Sequence, residues 1–231
     1  MERMADFILY AAFPYVAVFV ALVGTAYRFM SSRYSVSSLS SQFLEGRRLF
    51  WGSAPFHYGI LVVLAGHLIG FLIPRSVLWF NGVPARLYIL ELTGLAFGLL
   101  ALFGLVMLIY RRLTTGRIQV VTSPMDIVLL LLLLVQLASG VYVAVFHRWG
   151  SNWFAQTAAP YLWSLLRLSP DPQLVSALPL AARLHILNAW ALLAVVPFTR
   201  LVHFMVIPIG YLWRPHQLVI WNQRTARSRS R

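Results

Sequence analysis

Six histidines stand in this chain of 231 residues, and four of them fall within stretches that otherwise read as hydrocarbon. His57 and His67 belong to FHYGILVVLAGHLIG, and His185 and His203 to RLHILNAWALLAVVPFTRLVH. A titratable ring in an apolar span marks function and needs a partner. Imidazole offers two chemistries there, proton relay and metal ligation through a neutral ring nitrogen. Two histidines of one helix that chelate a single ion want a spacing near four residues, as in H-E-x-x-H. Separations of ten and eighteen do not suit that, so ligation has to run between helices.

The elements that must position these rings follow from hydropathy. Sixty per cent of the residues are hydrophobic and only 11% are charged, with a mean hydropathy of +0.75; soluble domains carry nearer a quarter charged residues. Five apolar stretches, at 7–27, 56–73, 87–110, 125–146 and 184–209, reach the roughly 20 residues that cross a hydrocarbon core as helix. An open strand in lipid would leave backbone groups unpaired, so all five are expected to be helices. The sequence predicts an all-α integral membrane protein, one membrane domain over 1–231, with five transmembrane helices in a bundle and a tail over 210–231. Pro14 and Pro197 are expected to bend the first and last spans. No small-residue cleavage site follows the first span, which therefore reads as retained.

Cysteine is absent, which excludes disulfides, Cys-ligated zinc or iron–sulfur clusters and a thiol nucleophile. All 19 basic residues are arginine. Twelve lie on the connections after spans one, three and five, six on the opposite side, and Arg200 near the end of the last span. That bias places the N-terminus outside and the C-terminus in the cytoplasm of a bacterial or archaeal cell membrane. The net charge of +13 is thus expected to face lipid and protein, not nucleic acid. The Ser-rich connection before span two reads as a loop or surface helix. The aromatic segment 154–168 reads as an interfacial helix on the outer surface, and the basic end RTARSRSR as a solvated tail near anionic lipid or a docking element.

Direction of travel then sets levels. Span two runs outward, with His67 ~15 Å beyond His57; span five runs inward, with His203 ~27 Å beyond His185. His57 is matched with His203 at the inner level and His67 with His185 at the outer level. Eighteen residues are five helical turns, so His185 and His203 share a face. A wide planar metal group held between helices by one imidazole on each side fits this pattern, and it occurs twice: two bis-histidine b-type haems, with centres ~21 Å apart if helix tilt or the Pro197 bend absorbs the unequal rises. Gly59, Gly66 and Gly70 would let a porphyrin approach the backbone, or serve close helix packing. The second nitrogen of each ring should donate to a carbonyl or carboxylate. Arg111, Arg112 and Arg200 at the inner level, with Arg86 and Arg183 at the outer, are candidate partners for haem propionates or interfacial anchors.

These residues resemble the cytochrome b (gamma) subunit of membrane-bound respiratory nitrate reductase. The specific stretches are SSQFLEGRRLFWGSAPFHYGILVVLAGHLIGFLIP and RLHILNAWALLAVVPFTRLVHFMVIPIGYL, with the four histidine positions and the R-L-V-H run. The resemblance implies an oxidoreductase subunit of nitrate respiration. It would oxidise quinol from the membrane pool beside the outer haem and pass electrons through two haems. The acceptor would be a cytoplasmic iron–sulfur subunit that feeds a molybdenum catalytic subunit. By position His57 and His203 would ligate the inner haem iron, His67 and His185 the outer one. The family uses a lysine for quinol in the loop after span two, where this chain offers Arg86. Arginine can donate to a quinone oxygen but is a poor proton acceptor.

Three other readings compete. A cytochrome b of a different terminal reductase or hydrogenase would look the same in this subunit. A proton-coupled transporter would want inverted repeats and more intramembrane carboxylates than Glu91 and Asp126. A haem-free anchor would leave the four histidines idle.

Overall fold

The computed structural model describes residues 2–32, 35–36, 41 and 44–205. Five helices are long and apolar enough to cross a membrane: α1 (Arg3–Ser31), α2 (Arg47–Leu72), α4 (Pro84–Thr114), α5 (Pro124–Phe146) and a fifth over Leu180–Phe198. The α-helical part of the fifth, α7, covers Leu180–Val195. Between them lie α3 (Pro74–Asn81) and α6 (Ala159–Leu166). Among the described residues there is no strand.

The termini of these helices follow local chemistry. Proline opens α3, α4 and α5, where a missing N–H costs nothing. Ser123 and Asp126 close a capping box at the start of α5, each side chain bonded to the other's backbone N–H. In α1 the chain relaxes into a π-turn over Ile8–Ala12 directly before the buried Pro14, one of the ways a helix absorbs proline. Arg111 and Arg112 fall in the last turn of α4, where the helix dipole favours cations.

Packing runs in an arc: α2 on α4, α4 on α5, α5 on α7 and α7 on α1. The crossing of α2 and α4 is built from small residues. A Cβ on Gly59 would lie 2.6 Å from the Phe97 carbonyl oxygen, and one on Gly104 would collide with the Phe56 nitrogen. Ala101 and Leu105 fill the core beside them. Without a hydrophobic drive between helices in lipid, such close backbone approach is what holds spans together.

Two expectations change. Pro197 does not merely bend the last span. The α-helix ends at Val195, a 3-10 turn covers Val196–Phe198, Thr199 is extended, and a second 3-10 turn carries Arg200–Met205. His203 therefore sits on its own turn, and the shared-face argument and the ~27 Å rise from His185, which assumed a continuous helix, do not apply. Second, the aromatic segment after α5 is not confined to a surface. Tyr161 and Ala159 are fully buried, and Tyr161 donates to the Tyr10 carbonyl at 2.9 Å. The segment plugs the end of the bundle against α1 and α7. The end of the last expected span, 206–209, and the tail 210–231, with His216, lie outside the described residues.

Candidate functional site

The bundle has two chemically distinct ends. The arginine-rich end gathers the described residues of the connection before α2, among them Ser41 and Glu45, and the connection 115–123 with the turn at 196–205. The aromatic end gathers 73–83 and 147–179, with Phe71 stacked on Trp163 and Arg86 over the Trp79 ring. Each end holds one histidine pair. His57 of α2 faces His203 with ring centroids 6.3 Å apart, and His67 of α2 faces His185 of α7 at 6.4 Å. The pairs cross between helices that do not pack extensively on each other. Because α2 is unbroken between its two histidines, they are ~15 Å apart along it.

The separations suit one group on each pair. An imidazole nitrogen lies about 2.0–2.1 Å from a bound metal, and a ring centroid about 1.1 Å behind that nitrogen. Two imidazoles on opposite sides of one metal then have centroids about 6.3 Å apart. Among the described residues no three His, Asp or Glu side chains converge as a metal cage; the histidines come in twos. His57 and His67 are exposed, so a planar group can reach them.

Hydrogen bonding fixes which nitrogen is available. Nδ1 of His57 lies 2.7 Å from the Ser53 carbonyl oxygen, Nδ1 of His67 2.8 Å from that of Val63, and Nδ1 of His203 2.7 Å from that of Arg200. A carbonyl can only accept, so Nδ1 carries the proton and Nε2 keeps its lone pair. This is the arrangement that orients metal-ligating histidine. His185 differs. Its Nδ1 lies 3.0 Å from the Ser139 hydroxyl oxygen on α5.

The arginines fall into three groups. Arg111 is buried and spends all three of its nitrogens on Glu45 and Ser41, so it holds the connection before α2 and is not available to a propionate. Burial alone would push the Glu45 carboxyl up, but N–H groups of Arg48 and Leu49 and the Arg111 guanidinium outweigh it and hold the carboxyl below its ordinary range. Arg112 and Arg200 converge on Asp126, with Arg200 bidentate at 2.6 and 2.9 Å. At the aromatic end Arg183 pairs with Asp6 at 3.1 Å. Arg86 lies over Trp79 and Phe80, 5.0 and 5.3 Å from their centroids, and its Nε is buried without a hydrogen-bond partner. Its described contacts are with these rings and not with the histidines.

The glycines separate too. Gly59 is taken up by the α2–α4 crossing, and Gly70 abuts the Phe154 ring. Gly66 has open space where a Cβ would be. Four contributors were missed in the sequence: Ser139, Gln136, Gly140 and Asn188, all around His185. The signal was there in polar residues interrupting a leucine run, which in a span want partners. Glu91 and Asp126, the two carboxylates of the spans, are both engaged structurally, Glu91 by Gly150 and Ser151.

Comparison with known proteins gives one answer. A family described as "Nitrate reductase gamma subunit" matches residues 6–222. The "Nitrate reductase gamma chain" of Bacillus subtilis (strain 168) is 36% identical over 226 residues, spanning 96% of this chain and 100% of that protein. The "Respiratory nitrate reductase 1 gamma chain" of Escherichia coli (strain K12) is 31% identical over 217 residues, 90% of this chain and 93% of that one. A "Nitrate reductase-like protein NarX" of Mycobacterium tuberculosis (strain CDC 1551 / Oshkosh) is 35% identical over 216 residues, and there the match spans only 33% of the longer protein. With five membrane-crossing helices and this match over nearly its full length, the chain belongs to the nitrate reductase gamma subunit family.

Proposed function

We propose that the chain is a di-haem cytochrome b subunit that oxidises quinol at its aromatic end, outside the membrane, and delivers electrons inward to iron–sulfur and molybdenum subunits of a nitrate reductase. The observation that carries this is the pair of imidazole separations, 6.3 and 6.4 Å, against the about 6.3 Å that bis-imidazole ligation requires.

His57 and His203 would hold the inner iron, and His67 and His185 the outer. When bound, the two haems supply one-electron carriage, which side chains alone cannot. The chain's own residues hold and tune them. Backbone carbonyls at Ser53, Val63 and Arg200 keep each Nδ1 protonated, which would leave each Nε2 to hold a metal. Gly66 leaves room for a flat ring against α2. Arg112 and Arg200 provide positive charge for inner propionates beyond what Asp126 neutralises, whereas Arg183 at the outer end is matched by Asp6. Arg86 would donate to a quinone oxygen through its guanidinium, which lies over the Trp79 and Phe80 rings; the proton acceptor for quinol must be another group, since guanidinium does not deprotonate.

The excess of arginine at one end supports a cytoplasmic location for it, where it would dock the partner subunits. Electron flow toward a negative cytoplasm costs ~2.3 kcal/mol per charge per 100 mV, so an acceptor of high potential such as nitrate drives it. Membership in the nitrate reductase gamma family favours that acceptor over another reductase or a hydrogenase. Haem extraction from the purified complex tests the reading. Two b-type haems per copy of this chain are expected; one or none contradicts it.

A further inference from the structure

Of the four histidines, His185 alone has no backbone carbonyl on its Nδ1. Its partners come from a different helix. The Ser139 hydroxyl of α5 donates to the Gln136 carbonyl at 3.1 Å, which uses its one proton and leaves a lone pair toward His185 Nδ1 at 3.0 Å. The ring is thereby set as the Nδ1–H tautomer.

Gln136 is oriented in turn. Its Oε1 accepts from Asn188 Nδ2 at 2.7 Å, and the same Asn188 group donates to the Leu132 carbonyl at 2.9 Å. With Oε1 so occupied, the Gln136 amide nitrogen must face the imidazole, 3.3 Å from Nδ1 and 3.1 Å from Nε2, and it has to release Nε2 when that nitrogen takes a metal. Gly140 completes the seat, since a Cβ there would lie 2.9 Å from His185 Cε1. Asn188 is buried and one helical turn beyond His185, so the network ties α5 and α7 together around this one ring.

We infer that Ser139, held by Gln136 and Asn188, is a positioning residue for His185 that fixes its tautomer and sets its basicity as a ligand. The inference rests on the haem reading above. A hydrogen bond accepted from Nδ1–H strengthens an imidazole as a ligand and tunes the metal it holds. The outer haem is therefore adjustable from α5 by side-chain chemistry, whereas each of the other three ligands has a main-chain carbonyl that mutation cannot remove, His57 with the Ser53 hydroxyl beside it at 3.2 Å.

The test is a redox titration of the intact complex with low-spin haem signals followed by electron paramagnetic resonance, the outer haem being the one missing in His67→Ala. Wild type lacking two separable haems refutes the haem reading itself, whatever Ser139 does. Given two haems, Ser139→Ala should raise the midpoint potential of the outer haem, or lose that haem alone, with the inner unchanged. Ser139→Thr, which keeps the hydroxyl, should stay close to wild type. Equal shifts of both haems, loss of both, no shift in either, or a Thr variant that behaves as Ala would overturn the inference.

Discussion

The two histidine pairs have nearly the same separation but are held by different means. At the arginine-rich end His203 rides on a short 3-10 turn beyond a broken helix, and charge holds that turn. Arg200, three residues earlier, grips Asp126 with two nitrogens, while Arg28 of α1 donates to the Pro197 and Thr199 carbonyls at 2.7 and 2.9 Å. At the aromatic end His185 lies inside an intact helix, fixed by neutral side chains of α5 and by Gly140. A histidine beyond a helix end can be carried on irregular backbone because an arginine reaches the freed carbonyls. His185, within an intact helix, is aimed instead by side chains of the neighbouring α5.

That contrast is open to attack in several places. The largest effect is expected from Asp126→Ala. It strips Arg112 and Arg200 of their shared, nearly buried counter-ion, at a cost of about 3 kcal/mol. Thermal unfolding of the purified complex should show it, with the His57/His203 haem lost before the His67/His185 haem. Loss of both together would mean that the ends are not independent.

Gly104→Ala comes next. Its Cβ would strike the Phe56 backbone of α2, and overpacking of that kind costs about 1–3 kcal/mol. The reading is a lower midpoint of denaturation, whereas Gly66→Ala, facing open space, should leave the apoprotein's stability unchanged. Asp6→Ala should cost less than about 1 kcal/mol, because its pair with Arg183 is partly solvated. A loss as large as that of Asp126→Ala would erase the distinction between a charge-held and a neutral end.

The smallest effect is on pH. The Glu45 carboxyl is held below its ordinary 4.5, so its contribution is present above that value and is lost as pH falls through the lower, folded one. Limited proteolysis of the connection before α2 should speed up below about pH 4.5 in wild type. Glu45→Gln should show the faster cleavage at neutral pH and little further change on acidification.

Much of this was legible in the sequence, for identifiable reasons. Apolar length gave the five spans, and arithmetic of level and direction matched His57 with His203 and His67 with His185. Level matching survived the break in the last span because it depends on which end a residue lies near and not on unbroken helix. The break itself was signalled by Pro197, but bend and stop differ by whether another helix satisfies the freed carbonyls. Arg28 and Gly24, whose Cβ would meet the proline ring at 2.8 Å, are 169 and 173 positions away. The commitment of Arg111 to Glu45 was hidden in the same way, 66 residues apart in sequence. Ser139 and Gln136 were visible as polar residues in a leucine run, but nothing local says that they meet a histidine on the next helix.

The central claim is most directly tested by electron paramagnetic resonance of the oxidised complex with His67→Ala and His203→Ala made separately. The account predicts two low-spin bis-imidazole haem signals in the wild type, one lost in the first variant and the other in the second. Loss of the same signal in both variants, or retention of both signals in either, would contradict it.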